Sequence, residues 1–239
     1  MHRSSYDKML AFRDAYLGHL VGKPLTVLDV GSAAVSEDGA SYRPLFSAPG
    51  WRYVGLDVQP GPNVDMVVAD PYRWSGLQDA SIDVVISGQA FEHIEWPWLT
   101  IREIARVMRR NGIAAITAPS AGPVHRFPRD CWRFYPDGMP ALAAYAGLRV
   151  VEHHWDDGYA YPENALWGES FIVLQRPSEP GDDSASAIGE VADAQAIARR
   201  AATMLGSANV WAVKAGLLRQ ALLQILAMLR TPLHLLKRF

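Results

Sequence analysis

The chain has 239 residues, 49% of them hydrophobic, and a formal net charge of −2. This length suits one sizeable α/β domain with an appendage, and the near-neutral charge argues against general nucleic-acid binding. The single cysteine, Cys131, excludes an internal disulfide and a thiolate metal cluster, and the sequence lacks a signal-peptide core or a membrane-spanning run. We therefore expect a cytoplasmic protein.

The first half of the chain alternates helical and strand patterns. Residues 4–20 carry apolar side chains at helical spacing, and a short helix is predicted at 41–47. Strands are predicted at 26–30, 52–57, 64–70 and 82–87. Most of these runs are apolar without polar alternation, which is typical of strands buried on both faces of a parallel sheet.

The second half continues the alternation. It predicts a helix over 98–110 that ends at Asn111-Gly112, a helix at 139–146, and strands at 113–118, 148–155 and 170–175. The pattern predicts an α/β fold, a Rossmann-like, doubly wound and mainly parallel seven-stranded sheet with a helical C-terminal extension. The expected domains are a catalytic domain at 1–176, a linker at 177–186 and a basic amphipathic extension at 187–239.

The extension carries basic residues along a predicted amphipathic helix. From Gly206 onward there are five Lys or Arg residues and no acidic residue, and Trp211 shares an apolar face with several leucines. Such helices favour anionic membrane surfaces. Burial against the core or in a homodimer would cover the same face. Burial is the preferred prediction, with peripheral contact at the inner membrane face as the alternative.

Two apolar strands that meet an aspartate indicate the cofactor. Thr26-Val-Leu-Asp-Val-Gly-Ser32 and Tyr53-Val-Gly-Leu-Asp57 leave room for one crossover helix, and ligands bind where such strands end. An acid that ends the second strand can accept hydrogen bonds from two ribose hydroxyls. Ala33 and Val35 would crowd a diphosphate where a dinucleotide fold has glycines. S-adenosylmethionine (SAM), which has no phosphate, therefore fits better than NAD or FAD.

Five segments in order resemble the motifs of class I SAM-dependent methyltransferases. They are Val27-Leu-Asp-Val-Gly31, Tyr53-Val-Gly-Leu-Asp57, Val68-Ala-Asp-Pro71, the stretch 82–94 and the stretch 103–112. The first departs from the family at Ala33 and Val35, where the family usually has glycines, and Gly39 is the candidate for the close approach.

The resemblance implies a set of cofactor-binding residues. Asp57 would bind the ribose, Asp70 the adenine amino group, and Gly31 with the turn at 87–89 the methionine part. The full set is Asp29, Gly31, Ser32, Asp57, Val58, Asp70, Pro71, Ser87, Gly88 and Gln89. Two alternatives stay open: Asp29 could orient its loop only, and Asp70 could cap a following helix.

The histidines suggest a hydroxyl acceptor. Such a nucleophile needs its proton removed by a group with a pKa near the working pH, which suits histidine. His93 and His125 follow the fourth and fifth predicted strands. His125 is the preferred base and His93 the next, with His154 as a third choice. Asp130 could orient either of the first two imidazoles.

The loop at 122–138 is too long for a simple connection. Its pattern His125-x-x-Pro-x-Asp-x-Trp-Arg-Phe134 resembles small bacterial methyltransferases linked to glycan synthesis, and so implies a saccharide, polysaccharide-precursor or glycolipid acceptor. Aromatic faces suit a sugar ring, and arginines donate to its hydroxyls or to an acidic substituent. The predicted acceptor-binding residues are Arg126, Trp132, Arg133 and Tyr135. Alternatively, Trp132 and Phe134 are buried against the sheet while Asp130 caps the loop.

Two rival functions remain at this stage. One is a methyltransferase for a small molecule such as a natural product or quinone, which predicts an apolar pocket. The other is a non-catalytic SAM-binding scaffold. Nucleic-acid methylation is disfavoured, since no Asn/Asp-Pro-Pro-Tyr/Phe-type sequence follows the fourth strand. Magnesium remains open: some of Glu92, Glu95, His125, Asp130 and Asp157 could bind it, although no spacing demands a metal.

Overall fold

The computed structural model describes residues 2–34, 39–156 and 166–178. Asp157, most of the predicted linker and the predicted extension at 187–239 lie outside these residues. The domain boundaries and the homodimer or membrane contact through the extension therefore stay predictions. Within the described part, none of the helices has the length and hydropathy needed to cross a bilayer.

A seven-stranded sheet forms the centre of the fold. Its strands are β1 (Leu25–Val30), β2 (Trp51–Asp57), β3 (Met66–Val67), β4 (Ile82–Gly88), β5 (Met108–Pro119), β6 (Arg149–Asp156) and β7 (Glu169–Gln175). Their order across the sheet is β3-β2-β1-β4-β5-β7-β6. Only β7 runs antiparallel to its neighbours. The predicted doubly wound, mainly parallel sheet is confirmed.

Three helices and several short turns cover the sheet. The helices are α1 (Arg3–Phe12), α2 (Pro97–Val107) and α3 (Gly138–Tyr145). The helix predicted at 4–20 changes pitch: it continues beyond α1 as a π-helical turn at Arg13–Leu17 and a 3₁₀ turn at Gly18–Leu20. The helix predicted at 41–47 is a 3₁₀ turn at Arg43–Phe46.

The predicted junction between the third helix, at 98–110, and the fifth strand is wrong. Helix α2 stops at Val107, three residues before the predicted end, so Asn111-Gly112 is not its stop signal. Met108 already pairs with Ile82 in the sheet. The next paired residues are Val84 and Ile113, so residues 109–112 bulge from β5. An ion pair of Arg109 with the buried Asp83 holds this bulge in the sheet. Sheet pairing thus outweighs local helix propensity here.

The third strand is also shorter than predicted. Instead of extending over 64–70, it spans two residues at the edge of the sheet. The Asp65 side chain accepts a hydrogen bond from the Gly55 amide at 2.8 Å, and the Asp65 amide donates to the Gly55 carbonyl at 2.8 Å. Beyond Val68 the chain turns, because the Asp70 carboxylate accepts the amide hydrogen of Tyr72.

Apolar residues on both faces of the strands explain the sequence pattern. On β1, Leu28 packs into the cluster under α2 and α3, whereas Val27 packs into the cluster under α1. On β4, Val85 and Val84 divide in the same way. Alternate side chains thus enter opposite cores, which is why these runs show no polar alternation.

Asp83 ties the starts of three strands together. Its carboxylate is 2% exposed, accepts the Thr26 amide of β1 at 2.9 Å and pairs with Arg109 of β5 at 2.9 Å. Asp79 makes a comparable ion pair with Arg106 at 2.5 Å, but its side chain is 78% exposed.

We expect Asp83→Ala to lower the free energy of unfolding by about 2 kcal/mol, because it leaves the Thr26 amide without its acceptor and Arg109 without this ion pair. Asp79→Ala is the matched control and should cost less than about 1 kcal/mol, since exposed ion pairs contribute little. Urea denaturation of both variants gives the comparison. Equal losses would show that the buried carboxylate is not what joins these strands.

Candidate active site

The turns after β1 and β4 touch at the carboxyl edge of the sheet. Gly31 has φ +77°, and a Cβ placed on it would lie 2.4 Å from the Cβ of Ala90. Ser87 donates its hydroxyl to the Val30 carbonyl at 2.8 Å. The strand order reverses between β1 and β4, so this edge is where an α/β sheet binds its ligand.

Asp57 lies at the end of β2, against the loop that follows β1. Its Oδ2 accepts the Ala33 amide at 3.0 Å and its Oδ1 accepts the Val58 amide at 2.7 Å. Ser32 is in the same loop, and its amide donates to the Leu56 carbonyl at 3.1 Å. The predicted cofactor residues Ser32, Asp57 and Val58 are therefore neighbours. Each carboxylate oxygen keeps acceptor capacity for a ribose hydroxyl.

Asp29 is buried at 2% exposure behind this loop. Burial raises the pKa of Asp29 to about 7, although a hydrogen bond from the Tyr53 hydroxyl opposes the shift. Asn63 extends the connection by donating to the Tyr53 hydroxyl at 3.0 Å and to the Ser32 carbonyl at 2.8 Å. This placement favours the orienting role for Asp29. Sequence reasoning did not foresee these contacts: Tyr53 was noted only as the first residue of the motif that ends at Asp57, and Asn63 carries no motif signal.

Asp70 and Pro71 lie beyond β3 at the same edge. Both are exposed, and Asp70 Oδ1 accepts the Tyr72 amide at 2.8 Å. The residues after Asp70 form a turn, not a helix, so the alternative role as a helix cap is wrong. The adenine contact stays a prediction.

Gly88 and Gln89 connect this edge to the N-terminal helix. A Cβ at Gly88 would lie 2.1 Å from the Tyr42 hydroxyl, which pairs with the Ser5 hydroxyl at 2.5 Å. Gln89 has φ +57° and donates its Nε2 to Glu169 Oε1 at 2.6 Å. Lys8 of α1 forms an ion pair with the same glutamate.

Sequence reasoning missed Tyr42, Lys8 and Glu169. Tyr42 follows Gly39 in the segment chosen for a close approach, which was a usable signal. Lys8 and Glu169 carry no signal in the sequence, because only the fold brings α1 and β7 together.

Two of the three predicted catalytic residues, His93 and His125, lie close to the buried side chain of Glu92. His93 Nε2 lies 3.6 Å and His125 Nε2 3.9 Å from Glu92 Oε1. Glu92 is fully buried, and in the described chain neither of its carboxylate oxygens accepts a hydrogen bond from another residue. Burial raises the pKa of Glu92 to about 8. We call Glu92, His93 and His125 the histidine–glutamate cluster.

The third predicted catalytic residue, Asp130, organises the loop at 122–138. Its Oδ2 accepts the His125 amide at 2.7 Å and lies 3.3 Å from His125 Nδ1. Arg133 donates to both Asp130 oxygens, at 2.6 and 2.8 Å, and holds the pKa of this carboxyl well below its usual range. Arg133, predicted to bind the acceptor, thus has both Nη groups engaged inside the loop.

The remaining acceptor candidates are exposed side chains of the same loop. Arg126 is exposed, and Trp132 and Tyr135 are 38% and 68% exposed. Trp132 donates its indole N–H to the Ile94 carbonyl at 2.9 Å, which fixes the ring. Phe134 is buried, as the alternative interpretation expected.

His154, the third choice of base, lies elsewhere. It is on β6, where it pairs with Glu152 and stacks on Phe171. Strand β7 separates it from β5.

Comparison with known proteins agrees with this geometry. Residues 28–116 match the family described as a methyltransferase domain. A protein of Mycolicibacterium gilvum named as an uncharacterized methyltransferase is 31% identical over 103 residues, which cover 39% of this chain and 38% of that protein. These matches support a class I SAM-dependent methyltransferase. The chain thus spans well under half the length of the curated relatives it matches.

Solved structures share the methyltransferase fold. The [4+2]-cyclase SpnF superposes with a TM-score of 0.55 at 15% identity, over 72% of this chain and 81% of that one. The 1,6-didemethyltoxoflavin-N1-methyltransferase of Burkholderia thailandensis, solved with S-adenosylhomocysteine, gives 0.53 at 16% identity, over 74% and 80%. At such identities the likeness shows the fold alone. The match of residues 28–116 to a methyltransferase domain, together with the shared fold, supports SAM as the cofactor.

The methyltransferase edge fits the cofactor in two respects. The Gly31 turn leaves no room for a side chain, so bare backbone is available to the methionine part. Asp57 presents acceptor oxygens at the end of β2 for the ribose. SAM held there supplies an electrophilic methyl group on a sulfonium.

We expect Asp57→Ala to weaken binding of S-adenosylhomocysteine about 10- to 100-fold, because it removes a charged acceptor of the ribose hydroxyls. Calorimetric titration measures the change. Asp79→Ala, at the opposite edge of the sheet, should bind like the wild type. Unchanged affinity in the Asp57 variant would contradict the ribose assignment.

Asp29 should make stability depend on pH. Between about pH 4 and 7 the folded protein retains a proton that the unfolded chain, with a pKa near 3.9, has released. The contribution of Asp29 to the free energy of unfolding therefore falls as the pH rises through this window. Asp29→Asn should flatten the slope measured by urea denaturation, whereas Asp79→Asn should not. An identical slope in both variants would refute the shifted titration.

Proposed function

We propose that the protein is a SAM-dependent O-methyltransferase that acts on a hydroxyl of a saccharide, a polysaccharide precursor or a glycolipid. The observation that carries the proposal is the position of the histidine–glutamate cluster. Its three side chains follow β4 and β5, next to the Gln89–Glu169 contact at the ligand edge. Imidazole and carboxyl groups are what removal of a hydroxyl proton requires.

Methyl transfer is an in-line displacement at carbon. The protein must hold the acceptor oxygen behind the methyl group and keep water out. The loop at 122–138 contributes to both tasks: the amides of Cys131 and Trp132 donate to the Glu92 carbonyl at 2.7 and 3.2 Å. These bonds fix the loop over the cluster.

His125 and His93 are the proposed groups for activation of the hydroxyl. Asp130 lies against the Nδ1 side of His125, and the Arg129 carbonyl accepts a hydrogen bond from His93 Nδ1 at 2.5 Å. Both imidazoles therefore present Nε2 toward Glu92. The hydrogen bond to the Arg129 carbonyl fixes the tautomer and the orientation of His93, whereas His125 Nδ1 makes no hydrogen bond to Asp130.

The surface beside the cluster supports a sugar acceptor. Tyr135 and Trp132 offer partly exposed rings, and Trp96 is 49% exposed with its ring 4.9 Å from that of Tyr72. Arg126 is exposed, which suits an acidic substituent of a sugar. An open surface with aromatic and basic groups matches an extended polar acceptor better than an enclosed quinone.

Transfer of radiolabelled methyl groups from SAM to an acceptor panel tests the proposal. The panel holds neutral and acidic oligosaccharides, glycolipid headgroups, quinols and amines. Label in a sugar ether is the expected result. Label in a quinol or amine only would contradict the proposed acceptor, and an absence of transfer to any acceptor would favour a scaffold.

Tyr135→Ala should raise KM for the saccharide about five- to tenfold, because an exposed ring is lost from the acceptor surface. Binding of S-adenosylhomocysteine should stay unchanged. Tyr145→Ala, which removes a 53% exposed ring at the end of α3, is the matched control. The same KM in both variants would remove Tyr135 from the acceptor site.

A further inference from the structure

We propose that Glu92, His93 and His125 bind a first-row divalent transition-metal ion of the zinc type, with a position left open for the acceptor oxygen. The binding site itself is independent of the proposed acceptor. Only the task of the ion rests on the proposed function.

The spacing of the three side chains fits one ion. One ligating atom from each lies within 4.8 Å of the other two. Ligands about 2.1 Å from a tetrahedral zinc ion lie about 3.4 Å apart. The observed separations of 3.6 Å from His93 Nε2 and 3.9 Å from His125 Nε2 to Glu92 Oε1 therefore need only small side-chain adjustments.

His93 already has the orientation of a metal ligand. A ligating imidazole typically donates its second N–H to a carbonyl or a carboxylate, which leaves the other nitrogen for the ion. His93 Nδ1 donates to the Arg129 carbonyl. His125 Nδ1 lies 3.3 Å from Asp130 Oδ2 without a hydrogen bond between them, so a small rotation of the ring would complete the same arrangement. The Nε2 atoms of both rings lie on the Glu92 side.

Glu92 provides a second, independent observation. Its side chain is fully buried, and within the described residues both oxygens lack a hydrogen-bond donor from any other residue. A buried carboxyl group without a donor is costly. A cation shared with two imidazoles would satisfy both its charge and its acceptor capacity.

The donor set selects the kind of ion. Magnesium prefers oxygen ligands in octahedral geometry, whereas two imidazoles and one carboxylate suit zinc and its neighbours. Catalytic zinc sites combine three protein ligands with one open position. This set also differs from the oxygen-rich groupings that the sequence alone suggested for magnesium.

The open position gives the ion a task in the proposed reaction. A hydroxyl bound to zinc loses its proton more readily. The acceptor hydroxyl releases this proton to water, and its oxygen forms a bond to the methyl carbon as the carbon–sulfur bond breaks. The products are a methyl ether and S-adenosylhomocysteine. His93 and His125 then exert their proposed role in activating the hydroxyl through the ion that they bind.

The test is zinc binding by the full-length, chelator-treated protein, followed by calorimetry and repeated with cobalt to read the absorption of a tetrahedral site. We expect one equivalent to bind. Glu92→Gln and His125→Gln should each weaken binding by at least about 100-fold, since loss of an outer-shell partner alone costs 10- to 100-fold. His154→Gln is the matched control, because His154 also faces a glutamate.

Titration with S-adenosylhomocysteine shows that each variant is folded. Zinc affinity that drops in the Glu92 and His125 variants but not in the His154 variant supports the site. Equal zinc affinity in all three, or no zinc uptake by protein that binds the nucleoside, overturns it. Zinc binding in a protein that methylates no sugar supports the metal site and overturns the proposed acceptor.

Discussion

The contact between the turns after β1 and β4 is the constraint on which the site depends. Gly31 packs so close to Ala90 that a Cβ would overlap, and Ser87 donates to the Val30 carbonyl between the same strands. Because the turns are joined, the chain that continues from Ala90 is placed directly beside the cofactor edge. Glu92 and His93 lie two and three residues further on. The histidine–glutamate cluster is thus positioned by the same contact that shapes the ligand edge of the sheet.

Buried carboxyl groups at this edge have different surroundings. Asp29 receives the Tyr53 hydroxyl, and Glu169 receives Lys8 and the Gln89 amide. Glu92 is buried as deeply as these, but no donor from another described residue reaches its oxygens. Since unpaired buried acids are costly, such an arrangement points to use in chemistry more than to stability.

Five of the seven strands were predicted to within a residue at each end. Strands β1, β4 and β7 are buried runs, because both faces of the sheet are covered by apolar side chains. Strands β2 and β6 were predicted as well although they are partly exposed. The predicted boundary between α2 and β5 was wrong because Arg109 forms an ion pair with Asp83, which lies 26 positions earlier in the sequence, and so belongs to the sheet. Such long-range ion pairs leave no local pattern.

In the candidate site, too, the topology was predictable from the sequence and the long-range side-chain contacts were not. The order of the motifs was sufficient to place Asp57 and Gly31, because the turns at strand ends follow from the topology. The partnership of Arg133 with Asp130 was not predicted, and the two residues had been assigned to different tasks. Only the folded loop shows that a bidentate pair joins them. Two arginines of the same loop therefore differ in their surroundings, which the sequence does not show: Arg133 stabilises the loop, and Arg126 is exposed at the surface.

The shared fold does not decide the reaction, since a [4+2]-cyclase superposes on this chain as well as an N-methyltransferase does. What separates such proteins is the set of groups that face the methyl donor. An amine acceptor needs little help with its proton, whereas a hydroxyl needs strong activation. Two imidazoles, one of them fixed by a hydrogen bond to the Arg129 carbonyl, together with a buried glutamate provide more proton-accepting groups than an amine would require. The cluster, and not the fold, is therefore the reason to look for an oxygen nucleophile.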